Sequence, residues 1–163
     1  MAKKAANPVP PNMRTITPLL TFNGNAREAM SFYQKAFGAE LVGEIVPSPD
    51  GKTVWHSMLR LGDSNIMAND AMPGGYERGP VDFATSSLWI YVADCDALFN
   101  RAKKAGCTVI MEMMDAFWGD RMGQLKDPFG HTWAIAAAKW EYTPEEIDRN
   151  MKAWLATMGP KGK

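Results

Sequence analysis

The chain states one structural unit twice. Residues 16–45, ITPLLTFNGNAREAMSFYQKAFGAELVGEI, read as strand, polar loop, amphipathic helix, glycine and strand. Residues 86–113, SSLWIYVADCDALFNRAKKAGCTVIMEM, repeat that order. Phe22 matches Val92 at an offset of 70 residues and Gly38 matches Gly106 at 68, so the first copy carries two extra residues around its Asn23-Gly24-Asn25 loop. A repeat of this size predicts two similar modules sharing one sheet, with a ligand cleft between them.

Periodicity fills in each copy. A helix over about 26–37 puts Ala26, Ala29, Met30, Tyr33 and Phe37 on one face. A second, over about 95–105, does the same with Cys95, Leu98, Phe99, Ala102 and Ala105. Gly38 and Gly106 stand where a helix-ending glycine is favoured. Strand-like runs follow at 39–45, 53–61 and 64–70, and again at 108–114, 121–127 and 131–137. Each module is therefore βαβββ, and the class is α+β: two modules forming a curled eight-stranded mixed sheet with helices outside, plus a C-terminal helix. Module one spans 14–70, a Gly- and Pro-rich linker 71–85, and module two 86–137. Residues 1–13, rich in Pro, Ala and Lys, read as a flexible arm. The segment 138–163 holds a last helix and a tail; Thr143-Pro144-Glu145-Glu146 is a capping box with Pro at the first helical position. That helix carries Ile147, Met151, Trp154, Leu155 and Met158 on one face, which must bury on the domain or on a partner subunit.

The hairpin at 53–70 can be read residue by residue. A two-residue turn at Gly62-Asp63 pairs Leu61 with Ser64, which sets Arg60 against Asn65, Met58 against Met67 and His56 against Asn69 on one face. Leu59 with Ile66 and Ser57 with Ala68 fall on the other, beneath a helix. On the strand opening module two, Leu88, Ile90 and Val92 face the helices, while Ser87, Trp89 and Tyr91 face the cleft. The inferred cleft is thus lined by Met, aromatic and a few polar groups.

Charge excludes some partners. With 18 basic and 18 acidic residues among 163, there is no footprint for nucleic acid or an anionic membrane, and no apolar run is long enough to span a bilayer. Cys95 and Cys107 are not spaced as a zinc knuckle or redox pair, and read as reduced, buried thiols of a cytoplasmic protein.

Paired βαβββ modules with the strings TPLLTFNGNAREAMSFYQKAFGAE (17–40), PDGKTVWHSMLRLGDSNIMAND (49–70) and DAFWGDRMGQLKDPFGHTW (115–133) resemble the glyoxalase/bleomycin-resistance/dioxygenase superfamily, the vicinal oxygen chelate fold, and within it the PhnB-like branch. The resemblance implies a homodimer, and a divalent metal held by the first and last strand of each module. Carried onto this chain, the ligand positions are Thr17 or Pro18, Met67, Ser87 and Ala134. None is a His or a carboxylate, so a three- or four-ligand site of the usual kind does not form there, and no metal or other cofactor is expected at these positions.

Candidate chemistry rests on a short set of residues. His56 is one of two histidines, the other being His131 in the DPFGH turn. Beside Asn69 it would act as a general base or recruit a divalent metal; the plainer alternative is a histidine bonded within the cleft wall. The expected ligand-binding set is Met58, Met67, Asn69, Ser87, Trp89, Tyr91, Trp118 and Arg121. Trp89 and Tyr91 offer stacking surface for a planar or cationic ligand, and Trp118 sits in a loop over the cleft mouth. Trp55 and Trp133 are expected in the core. Arg121 would clamp a carboxylate or phosphonate, against the alternative of a local Asp–Arg pair; Arg60 is a second anion candidate. Three functions follow: a metal-free protein that binds a small organic ligand, an enzyme of lyase or isomerase type using His56 on a small carbonyl or anionic substrate, or a structural role with a self-filled cleft.

Overall fold

The computed structural model describes residues 5–10 and 13–157. Residues 1–4, 11–12 and 158–163, which include Met158 and parts of the expected arm and tail, lie outside them. The chain divides into two compact units, residues 1–83 and 84–163.

In the first unit the order is β1 (Leu19–Phe22), α1 (Ala26–Phe37), β2 (Glu40–Leu41), β3 (Val46–Pro47), β4 (Val54–Leu61) and β5 (Ser64–Asp70). They form a five-stranded mixed sheet, β1-β5-β4-β2 with β3 also on β4. The Gly62-Asp63 turn sets the expected register, with Met58 opposite Met67 and Leu59 opposite Ile66. Of the strand expected at 39–45 only Glu40–Leu41 is extended and paired, and a second short strand, β3, begins just beyond it. Gly43 turns to a φ of 72°, which extended chain does not adopt, so pairing stops and resumes at Val46.

A second departure lies opposite that break. Val46 pairs with His56, but Pro47 pairs with Val54, leaving Trp55 as an extra residue on β4. A bulge of this kind shifts the side-chain alternation by one. Val54 is therefore buried with Ser57 and Leu59, and Trp55, expected in the core, is 43% exposed.

The helix face of this sheet is closed by Phe22, Tyr33, Phe37 and Leu59. Asp70, at the end of β5, ties the layers together. Its Oδ1 accepts the Gly24 and Ala26 backbone N–H groups at 2.9 and 3.0 Å, and its Oδ2 accepts that of Val54 at 2.8 Å. Asn25, the cap residue of α1, makes no side-chain capping bond, so a buried carboxylate from another strand does that work.

The second unit runs β6 (Ser87–Tyr91), α2 (Cys95–Ala105), β7 (Thr108–Asp115), β8 (Asp120–Lys126), β9 (Thr132–Ala138) and α3 (Pro144–Thr157). Its four strands are ordered β6-β9-β8-β7, with β6 parallel to β9. Hydrogen bonding thus makes two mixed sheets, one per unit, where the repeat predicted one of eight strands. The repeat is nevertheless legible in the pairing: Leu19 lies opposite Met67, and Trp89, 70 residues on from Leu19, lies opposite Ala134. Here α2 caps itself, the Asp94 carboxylate accepting the Ala97 N–H at 2.9 Å.

Gly123 lets α2 approach β8 closely. A Cβ there would stand 2.7 Å from Phe99 and 2.9 Å from the Met113 sulfur. Trp133 is fully buried, as expected, and its indole donates to Asp127 at 2.8 Å. The other oxygen of Asp127 accepts the Phe129 and His131 backbone N–H groups, so the DPFGH string is a turn and its histidine belongs to it. The capping box of α3 forms as read: Thr143 N–H to Glu146 at 2.9 Å and Glu146 N–H to the Thr143 hydroxyl at 3.3 Å. Trp154 of α3 packs on Phe117, ring centroids 5.6 Å apart, although no residue of the helix is fully buried.

Candidate ligand-binding face

The expected site residues separate into two groups, one in each unit. In the first, strand register puts Met58, Met67 and Asn69 on the sheet face away from α1, while His56 pairs with Val46 beyond the last β4–β5 pair, Ser57 with Ala68, so the expected pairing of His56 with Asn69 is not formed. Asn69 is already committed. Its amide oxygen accepts the Thr21 hydroxyl at 3.0 Å and its nitrogen donates to Glu77 at 2.9 Å. Asn23 holds the same segment through the Gly79 N–H and the Pro80 carbonyl. Residues 77–80, read from sequence as linker, are therefore bound to the first unit. His56 is exposed, and its imidazole makes no hydrogen bond or ion pair with any described residue. Arg60 borders a shallow pocket with Arg14, Val42, Asp63 and Asn65, but its guanidinium pairs with Glu40.

In the second unit Ser87, Trp89 and Tyr91 project from β6 on the face away from α2. Their partners across β9 are Thr132, Ala134 and Ala136. The Trp89 and Tyr91 rings stack with centroids 6.0 Å apart and planes 27° apart. They are 42% and 58% exposed. Met122, Ala134, Ala136 and Ala116 form a buried apolar cluster with Met111 packed against it.

The FWGD string shapes one edge of this face. Residues 116–119 form a turn closed by the Gly119 N–H to the Ala116 carbonyl, and Gly119 has a φ of 111°. A Cβ there would stand 2.2 Å from the Trp140 carbonyl oxygen, so only glycine fits. The turn delivers Asp120 onto the open face beside Tyr91. One carboxylate oxygen, Oδ2, accepts both the Tyr91 hydroxyl at 2.8 Å and the Trp118 indole N–H at 2.9 Å. The charge of Asp120 raises the Tyr91 phenol above its usual pKa, chiefly through that hydrogen bond. Asp120 was missed as a site residue because an Asp beside an Arg reads as a local pair.

Arg121 takes the other face. Its Nε and Nη2 grip Asp96 of α2 at 2.6 and 2.7 Å, and Nη1 reaches Asp115 at 3.2 Å. The guanidinium holds the Asp96 carboxyl below its usual pKa. The structure does not bring Arg121 together with Trp89 and Tyr91: an ion pair joining α2 to the sheet replaces the expected anion clamp.

The model of the Glyoxalase/Bleomycin resistance protein/Dioxygenase superfamily matches residues 15–135. The chain belongs to this superfamily. It is 40% identical over 134 residues to the uncharacterized protein Mb0911c of Mycobacterium bovis, covering 79% of this chain and 87% of that one. Among solved structures it is similar to PA1353 from Pseudomonas aeruginosa, with TM-score 0.62 and 29% identity over 78% of this chain and 99% of that one. The PhnB protein from Bacillus cereus shares the fold at TM-score 0.61 and 24% identity, covering 77% and 100%.

The superfamily's metal does not fit these residues. Strand pairing puts Met67 opposite Leu19 and Ala134 opposite Trp89, and the four carried-over positions supply only hydroxyl, proline-ring, thioether and methyl groups. Among the described residues no three His, Cys, Asp or Glu side chains are grouped to hold a metal ion.

Proposed function

We propose that this glyoxalase-superfamily chain binds a small organic molecule on the open face of its second sheet, laid over Trp89 and Tyr91 and without the metal usual in the superfamily. The carrying observation is the stacked, half-exposed Trp89–Tyr91 pair beside the Met122–Ala134–Ala136 cluster. Exposed aromatic rings offer dispersion and stacking energy that water does not satisfy. Ser87 and Trp118 supply polar and aromatic edges to the same face. The superfamily's description includes bleomycin resistance proteins, which agrees with sequestration of an organic compound.

Catalysis through His56 has less support, because no neighbour orients its imidazole as a base needs. The homodimer implied by the resemblance belongs to the same reading; exposed Trp140 and Leu155 supply apolar surface for a contact at α3. The buried, free thiols of Cys95 and Cys107 suit a reducing, cytoplasmic setting.

Isothermal titration with N-methylquinolinium, quinoline and 1-naphthoate tests the binding reading. Saturable binding by at least one, weakened about tenfold in Trp89→Ala, is expected. No binding by any of the three, or binding unchanged in Trp89→Ala, overturns it.

A further inference from the structure

Asp120 is the charged group at the Tyr91 end of the aromatic face, Lys126 standing at the other end of β8 opposite Thr132, and its surroundings select the charge of what lies there. It is 9% exposed, yet it enters no ion pair among the described residues. The two donors it has, the Tyr91 hydroxyl and the Trp118 indole N–H, are both neutral and both meet Oδ2. Oδ1 receives no hydrogen bond from a described residue, and no unsatisfied polar side-chain atom there is sealed from solvent. The arginine next in sequence is turned to the opposite face by Asp96 and Asp115. A carboxylate held by neutral donors alone, with one oxygen unbonded and no cation beside it, is placed to meet a positive charge brought by a ligand.

The rings around it favour the same sign. Trp89, Tyr91 and Trp118 present π faces, whose quadrupole attracts a cation and repels an anion. Tyr91 and Trp118 spend their polar hydrogens on Asp120, and the stacked Trp89–Tyr91 pair keeps about half its surface open. Met111 and Met122 add polarizable, uncharged surface.

We propose, resting on the binding reading above, that the ligand of this face is an organic cation: a flat or apolar body carrying a quaternary or protonated nitrogen, with its charge against Asp120 and its body over Trp89 and Tyr91.

The test compares three probes of similar size and different charge in the full chain: N-methylquinolinium, quinoline at a mildly alkaline pH where it is neutral, and 1-naphthoate. The cation is expected to bind about tenfold tighter than quinoline, with naphthoate weakest, and added salt should weaken only the cation. Asp120→Asn keeps an oxygen acceptor for Tyr91 and Trp118 while removing the charge. In that variant the preference should fall to the smaller part that the rings alone supply, the cation losing more affinity than quinoline. Equal binding of all three probes, or tighter binding of naphthoate, overturns the cation assignment and leaves the binding reading standing. Preference for the cation that is undiminished in Asp120→Asn also overturns it. Failure of every probe to bind overturns both. The wild-type comparison and its salt dependence decide the matter even if the variant does not fold.

Discussion

The Tyr91 hydroxyl and the Asp120 carboxylate meet at 2.8 Å, and through that bond a residue of the first strand of the second unit is tied to the first residue of β8. The same carboxylate oxygen holds Trp118 at 2.9 Å. One acid thus sets the positions of two of the three rings on the candidate binding face.

That bond has a titration signature. A phenol bonded to a carboxylate loses its proton later than the ordinary 10.0, because the anion would face a second negative charge. The raised folded-state value means the bond contributes fully below about pH 10 and is lost as pH rises through the folded value. Ultraviolet titration of wild type minus Tyr91→Phe is expected to show late ionisation, moved back towards the ordinary value in Asp120→Asn.

Asp70 carries three backbone N–H groups and is buried. Asp70→Ala leaves all three without their partner and is expected to cost about 3 kcal/mol in urea unfolding. Asp70→Asn, which can accept at one oxygen only, should lose less. Equal stability of wild type and Asp70→Ala would show that α1 is capped some other way.

Gly123 tests helix–sheet packing. A methyl group there collides with Phe99 and the Met113 sulfur, so Gly123→Ala is expected to destabilise by about 1–3 kcal/mol. Trimming the opposing ring in a Gly123→Ala/Phe99→Leu double variant should recover part of that loss, as thermal melts would report.

Arg121 separates the two sides of the second sheet. Arg121→Met is expected to leave N-methylquinolinium affinity unchanged and to alter the acid limb of stability. Its partner Asp96 is held below the ordinary 3.8, so the pair contributes above that value and is lost as pH falls through the folded one. The variant should therefore show a smaller loss of stability on acidification, measured by denaturant melts across that range. A large drop in ligand affinity instead would return Arg121 to the binding face.

Each local rule in the chain survived folding where its causes were local. Helix limits 26–37 and 95–105 follow from apolar spacing and a closing glycine, and both helices have those limits. The Gly62-Asp63 turn determined five cross-strand pairs, and Thr143 with Glu146 determined a helix start. The alternation of Trp89 and Tyr91 with Leu88 and Ile90 was likewise readable, because a strand has period two.

What tertiary structure decided are the choices among partners and the breaks in period. One extra residue on β4 turned Trp55 outward, which no count of alternating positions reveals. Arg121 had Asp120 beside it in sequence but took Asp96, 25 residues away on α2, because β8 places Asp120 and Arg121 on opposite faces. Asn69 was drawn to Glu77 by the course of a segment with no periodicity. Sequence determined the repeated units and their elements through short-range sterics and hydrophobic pattern. Only the folded chain decided which carboxylate met which donor, since such contacts depend on distances that local pattern does not encode.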